Sequence, residues 1–208
     1  VTKFEKRFLK DYFRLLNPRT NWERADVNSN LYQRGTGFRK IFDYLIQIKK
    51  NNYSIVETGV LRNIGVWTDG QSSFLFQEFC KYHNGSLKSV DIDSEACDIA
   101  RNFLDPKIVS VTCGDSIEFL KNIDTTNVDL FYLDSYDVIW SNYLPSAEHH
   151  LKEFLEIENR LSPGTLVVID DNTFYQKKRA GKGTLIYEYL KDKGKLPVYD
   201  DYQIIYEF

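Results

Sequence analysis

Apolar side chains at Phe4, Phe8, Leu9, Tyr12, Phe13 and Leu16 recur at helical spacing and stop at Asn17-Pro18, which predicts an amphipathic opening helix. The polar stretch 19–37 predicts a loop. Ile41, Leu45 and Ile48 then predict one apolar face of a second helix, from Phe38 to about Lys50, broken by Asn51-Asn52. From Tyr53 the pattern changes to short β-branched runs alternating with helical ones. Strands are predicted over 53–58, 87–92, 108–112, 128–133 and 165–170, with helices over 70–83, 94–104, 116–122, 146–161 and 182–193. That alternation implies a parallel sheet covered on both faces. The tail reads as two strands, 195–199 and 202–206, joined by the acidic turn Asp200-Asp201, so one antiparallel strand enters the sheet. The expected class is α/β, a doubly wound and mostly parallel sheet preceded by N-terminal helices.

Length changes this picture little: 208 residues suit one domain, with 1–50 as a helical extension and 53–208 as the sheet-bearing core. With 42% apolar residues and 14 each of Tyr and Phe, the chain can bury a core, which argues against disorder. A formal charge of -3 disfavours electrostatically driven nucleic-acid binding. No apolar run nears the roughly 20 residues of a membrane span, and 1–10 lacks the apolar core of a secretory leader. Cys80, Cys97 and Cys113, odd in number and without Cys-x-x-Cys spacing, predict free thiols in a reducing cytoplasm. Methionine is absent, which leaves open whether an initiator was removed or the chain is a piece of a longer one.

Candidate chemistry starts at two strand ends. Ser54-Ile-Val-Glu-Thr-Gly59 closes on a glycine, which lets backbone approach a ligand; Ser89-Val-Asp-Ile-Asp93 closes on acids, which grip ribose hydroxyls. Together they predict an adenosine-containing cofactor. Asp69-Gly70-Gln71-Ser72-Ser73 opens the following helix with small residues and free N-H groups suited to a carboxylate, and equally suited to plain capping. No Gly-x-Gly-x-x-Gly turn is present, which disfavours a nicotinamide or flavin enzyme.

This element order, terminal hairpin and set of strand ends resemble the class I S-adenosylmethionine-dependent methyltransferases, whose fold is Rossmann-like; the resemblance covers Tyr53 to Phe208. It implies that Glu57 and Gly59 approach the amino-acid end of S-adenosylmethionine, with Asp69, Gly70 and Ser72 beyond them. It further implies that Asp91 holds the ribose, Ile92 lies against the adenine, and Asp115 and Ser116 surround the adenine amino group. The chain departs from the family's tight glycine cluster, since nine residues separate Gly59 from Asp69. Asp115 and Ser116 also suit a turn and a helix cap.

The fourth strand ends in Asp134-Ser-Tyr-Asp137 and the fifth in Asp170-Asp171-Asn172, a convergence of oxygen donors suited to a hard cation such as Mg2+. The pairing resembles cation-dependent O-methyltransferases, which implies Asp134, Asp171 and Asn172 as metal ligands and Asp134 as the group orienting an acceptor hydroxyl. The competing reading is that these acids cap helices or bind loop backbone. His150 falls on the inward helix face with Phe154, Ile157 and Leu161, as general base or as a hydrogen-bonded core residue. The basic run 177–183 is either a solvated loop or a lure for an anionic, phosphate-linked sugar. Tyr136, Trp140, Tyr143, Phe174 and Tyr175 flank the same rim and suit stacking on a ring.

The resulting expectation is methyl transfer to a hydroxyl of a small molecule or sugar. A nucleotide-dependent sugar oxidoreductase and a catalytically silent cofactor-binding partner are the rivals. Self-association is left open.

Overall fold

The computed structural model describes residues 2–16, 34–67, 69–175 and 178–208; the expected loop over 19–33 and Lys177 of the basic run lie outside them, as does the Tyr175 side chain. The opening helical run comprises α1 (Lys3–Arg7), a π-helical segment (Phe8–Tyr12) and α2 (Phe13–Leu16). Thr2 caps it, accepting from Glu5 N at 3.1 Å. Phe4, Phe8, Tyr12 and Leu16 are buried at four-residue intervals, whereas Leu9 is exposed, so the buried stripe is narrower than the sequence pattern suggested. The Phe4 ring meets Phe42 edge-on at 4.7 Å and Phe79 at 5.2 Å.

Helix α3 (Arg34–Gln47) starts four residues before the predicted Phe38, through two glycines that propensity alone would exclude. Tertiary packing overrides that propensity: a side chain at Gly37 would collide with Gln203. Ile48 falls past the helix end and is exposed, not on the apolar face expected of it.

The core follows the predicted alternation: β1 (Ser54–Thr58), α4 (Ser72–His83), β2 (Ser86–Asp91), α5 (Ser94–Phe103), β3 (Val109–Cys113), α6 (Ser116–Asn122), β4 (Leu130–Leu133), α7 (Leu144–Glu158) and β5 (Leu166–Ile169). A second pair of strands, β6 (Asn172–Tyr175) and β7 (Lys178–Gly181), forms a separate antiparallel hairpin where a loop was expected. Then come α8 (Thr184–Asp192), β8 (Tyr199–Asp200) and β9 (Ile204–Glu207). Residues 195–198 of the predicted strand stay outside β8.

The main sheet has seven strands in the order β3-β2-β1-β4-β5-β9-β8, parallel except where β9 runs against β5 and β8. Strand side chains alternate faces. Ile55, Leu130, Tyr132, Leu166 and Val168 join one core with α3, α4, α5 and the opening helix; Val56, Phe131, Leu133, Val167 and Ile169 join the other with α6, α7 and α8. Burial on both faces explains the unbroken apolar runs of these strands. The order reverses between β2-β1 and β1-β4, which opens a crevice beyond the carboxyl ends of β1 and β4.

Candidate active site

Two cavities open at that switch point. One is lined by Gly59, Gly70, Asp91, Asp134, Asp171 and Tyr202 among others. The second, of about 290 Å³, shares Asp91 and Ser135 with it and adds Ile92, Asp115, Ser116, Tyr136 and His149. Of the residues expected to hold the cofactor, Gly59, Asp69, Gly70, Ser72, Asp91, Ile92, Asp115 and Ser116 all line one or the other.

Gly59 takes a φ of 88°, donating its N-H to Val90 O at 2.8 Å; an added Cβ would sit 2.7 Å from the Asp134 carbonyl. Only glycine fits this crossing of β1 and β4 ends. Asp69 does not cap α4, whose N-cap is Gln71; its carboxylate accepts from Arg62 Nε at 2.8 Å and Asn63 Nδ2 at 2.5 Å. The same Arg62 guanidinium reaches Asp137 with two N-H groups, at 2.8 and 3.0 Å, and so ties the loop after β1 to the loop after β4. Asp91 ends β2 half-buried, its Oδ1 accepting from Asp93 N at 2.9 Å, with burial pushing its pKa up. Ile92 stands exposed at the cavity mouth. Asp93 caps α5 and Asp115 caps α6, accepting from Glu118 N at 2.9 Å, so Asp115 serves as cap and lines the cavity at once.

Glu57 sits one layer beneath, with no exposure, and does not line either cavity. Its Oε2 accepts from Ser73 Oγ at 2.5 Å and Ser89 Oγ at 2.8 Å, while Oε1 has no partner. Burial pushes its pKa up to about 7 against the pull of the serine hydroxyls.

At the β4 and β5 ends the carboxylates do converge, but around an ammonium. Lys182, buried, pairs with Asp134 Oδ1 and lies 2.8 Å from Asp171 Oδ2. Asp171 Oδ1 accepts from the Tyr202 hydroxyl. Asn172 faces away: its Nδ2 donates to the carbonyls of Ile169 and Asp170, and its Oδ1 accepts from Gly183 N at 2.8 Å. Asp170 does not point away from the site as alternation along the strand suggested: it lines the first cavity with Asp134 and Asp171, accepting from Tyr132 at 2.5 Å beside Arg34 at 3.4 Å. Three carboxylates thus face two buried cations. Burial raises Asp134 and Asp170; at Asp171 the pull of burial is overcome by Lys182, the Tyr202 hydroxyl and Arg34 together, which hold it at about 2. Asp134 is held at the cavity wall by its pairing with Lys182.

The metal set expected from Asp134, Asp171 and Asn172 therefore does not form: the place between the two carboxylates holds an ammonium, and the amide oxygen is committed to Gly183. Among the described residues no group of three His, Cys, Asp or Glu side chains is arranged to bind a metal.

His150 is fully buried as its helix position implied, with Nδ1 2.7 Å from Ser146 O, and burial lowers its pKa to about 4. It lines neither cavity. Its neighbour His149 does, with Nε2 3.0 Å from Ser116 Oγ and 3.4 Å from Glu153 Oε1. Glu153, fully buried, also accepts from Ser135 Oγ at 2.6 Å and Thr58 Oγ1 at 3.2 Å. Arg34, Arg62, His149, Glu153 and Lys182 are thus site residues that sequence reasoning missed; only the His149-Glu153 spacing of four carried a readable signal. In the basic run, Arg179 pairs with Asp200 at 2.6 Å and packs on the Tyr187 ring, Lys182 turns inward, and Lys178 stays exposed. Tyr136, Trp140 and Phe174 are exposed, and Tyr136 lines the second cavity.

Residues 63–172 match a family model described as a methyltransferase domain. Among solved structures, the chain is similar to the MycE methyltransferase of the mycinamycin biosynthetic pathway in complex with Mg and SAH: 17% identity and TM-score 0.55 over 98% of this chain and 53% of that one. It is similar also to CalS11, a TDP-rhamnose 3'-O-methyltransferase of calicheamicin biosynthesis, at 14% identity and TM-score 0.52 over 99% and 93%. A probable spermidine synthase from Corynebacterium glutamicum gives 13% identity and TM-score 0.56 over 80% and 60%. The chain thus spans little more than half the length of the first and the last of these. At such identities the likeness speaks to the fold. No curated protein sequence matches.

Proposed function

We propose, for a chain that belongs to the class I S-adenosylmethionine-dependent methyltransferases, that it moves the methyl group to a hydroxyl oxygen of a small molecule or sugar. The observation that carries this reading is Asp134: a carboxyl just past the end of β4, on the wall of the cavity that also holds Gly59, Gly70 and Asp91. The cofactor fits the donor set, with Asp91 at ribose depth, the positive φ of Gly59 and Gly70 bringing backbone close, and the second cavity beside Ile92 and Ser116 for the base. When bound, S-adenosylmethionine supplies an electrophilic methyl on a sulfonium.

Asp134 would orient the acceptor hydroxyl at the cavity wall and accept its proton, so that the methylated acceptor would leave neutral. Holding both reactants in line supplies much of the acceleration. Tyr136, Trp140 and Phe174 give the acceptor flat apolar surface. CalS11, by its name, methylates a hydroxyl of TDP-rhamnose, which supports the oxygen and sugar reading. The three unpaired thiols support a reducing cytoplasm as the location. Among the described residues no helix is long and apolar enough to cross a membrane.

The test is transfer of labelled methyl to a panel of sugar and aromatic hydroxyl acceptors. Asp134→Asn is expected to lower kcat by roughly 10²- to 10⁴-fold with cofactor affinity preserved. Methylation of nitrogen or carbon acceptors alone, or no transfer to any acceptor, would defeat the proposal.

A further inference from the structure

We propose that Lys182 is the resident cation of the reacting rim, standing where a divalent metal would otherwise bridge Asp134 and Asp171, so that the site works without added metal. This rests on the reading above only for its kinetic arm; cation binding can be measured whatever group is transferred.

The placement is built into the chain. Gly181, at a φ of 119°, packs against the Asp171 carbonyl so closely that any side chain would collide with it. That contact ends β7 and turns residue 182 back toward the ends of β4 and β5. Gly183 follows because a Cβ there would lie 2.6 Å from Asn172 Oδ1, the oxygen that accepts its N-H. Thr184 Oγ1 then donates to Gly181 O at 2.9 Å and closes the turn at the start of α8. One four-residue turn thus inserts the ammonium and withdraws the amide oxygen that a metal would need. The hairpin of β6 and β7 carries the turn to its place.

The ammonium is also saturated. Its three N-H groups meet Asp134 Oδ1, Asp171 Oδ2 at 2.8 Å and the Asp134 carbonyl at 3.4 Å. With no donor left over, Lys182 does not reach the acceptor and is a positioning residue: it holds Asp134 at the cavity wall and supplies positive charge that two neighbouring carboxylates require. A hard cation at this point would have to displace a paired, buried ammonium.

The experiment uses the purified full chain. Wild-type protein stripped with chelator is titrated with Mn2+ by electron paramagnetic resonance and melted with and without Mg2+, and its methyl transfer is followed in parallel. We expect no Mn2+ site at millimolar concentration, no Mg2+-dependent shift in Tm, and a rate within about twofold of the untreated protein. Lys182→Ala opens the acidic gap: it should melt lower, gain one Mn2+ site, and recover Tm with Mg2+. Should Lys182→Ala not fold, Lys182→Met keeps the side-chain volume and should fold more weakly than wild type with no Mn2+ site, since its thioether fills the gap. A Mn2+ site in wild type that Asp171→Asn removes, or a chelator-sensitive rate restored by Mg2+, overturns the inference. Absence of methyl transfer with an unchanged metal-free wild type and a metal-binding Lys182→Ala would instead refute the functional reading and leave this one standing.

Discussion

Glu57 makes the stability of this fold depend on pH in a direction opposite to most carboxylates. Its carboxyl has no exposure, one oxygen shared by two serine hydroxyls and the other without a partner, and burial lifts its pKa from 4.5 to about 7. Between those values the folded chain holds a proton that the unfolded chain has released, so stability falls as pH rises through the window and levels off above it. At about 1.4 kcal/mol for each pH unit crossed, the loss is roughly 3 kcal/mol. Glu57→Gln removes the charge while keeping the shape and an oxygen for Ser73 and Ser89. The variant is expected to come within about 1 kcal/mol of wild type in urea denaturation at pH 5, where folded Glu57 is protonated, and to exceed it by roughly 3 kcal/mol at pH 8. Using the difference between the two proteins cancels every other titrating group. A difference that is the same at both pH values would show that Glu57 ionises in the fold as easily as in water, and the reasoning would fail.

Asp91→Ala is expected to weaken S-adenosylhomocysteine binding at least about tenfold in titration calorimetry, since even one charge-assisted ribose bond is worth roughly 1.5 to 3 kcal/mol; unchanged affinity in a folded variant would remove Asp91 from the cofactor site. His150, held neutral by burial to about pH 4, takes up its proton in the unfolded chain first, so it withdraws stability as pH falls from 6.5 toward 4. Its ring resonances should stay those of neutral imidazole through that range, and a midpoint near 6.5 would contradict its place in the core.

The strands and helices from Tyr53 onward were legible because their signals are local. β-branched runs such as Leu166–Ile169 need no partner to announce a strand buried on both faces, and Asp93 and Asp115 announce the helices they cap. The short hairpin of β6 and β7 was not legible, since Asn172 to Gly181 carries polar and basic residues that read as loop. Its pairing is set by where β5 ends and by the close approach at Gly181.

The convergence of strand ends was legible for the same reason as the fold: residues at the carboxyl ends of parallel strands must face one crevice, so Gly59, Asp91 and Asp115 line its two adjoining cavities once the strand order is granted. The reacting end was not. That Asp134 and Asp171 converge followed from topology, but what lies between them is decided by residue 182, brought in from the far side of a hairpin. Likewise helix spacing placed His150 inward, but that its neighbour His149 meets a cavity was decided only by how α7 packs on the sheet. Sequence by itself determined the periodicities, the strand ends and the kinds of group available there, because these depend on neighbours along the chain. Only the tertiary structure decided which charge answers which, because an ion pair such as Lys182 with Asp134 joins residues 48 positions apart, and no local pattern records the meeting.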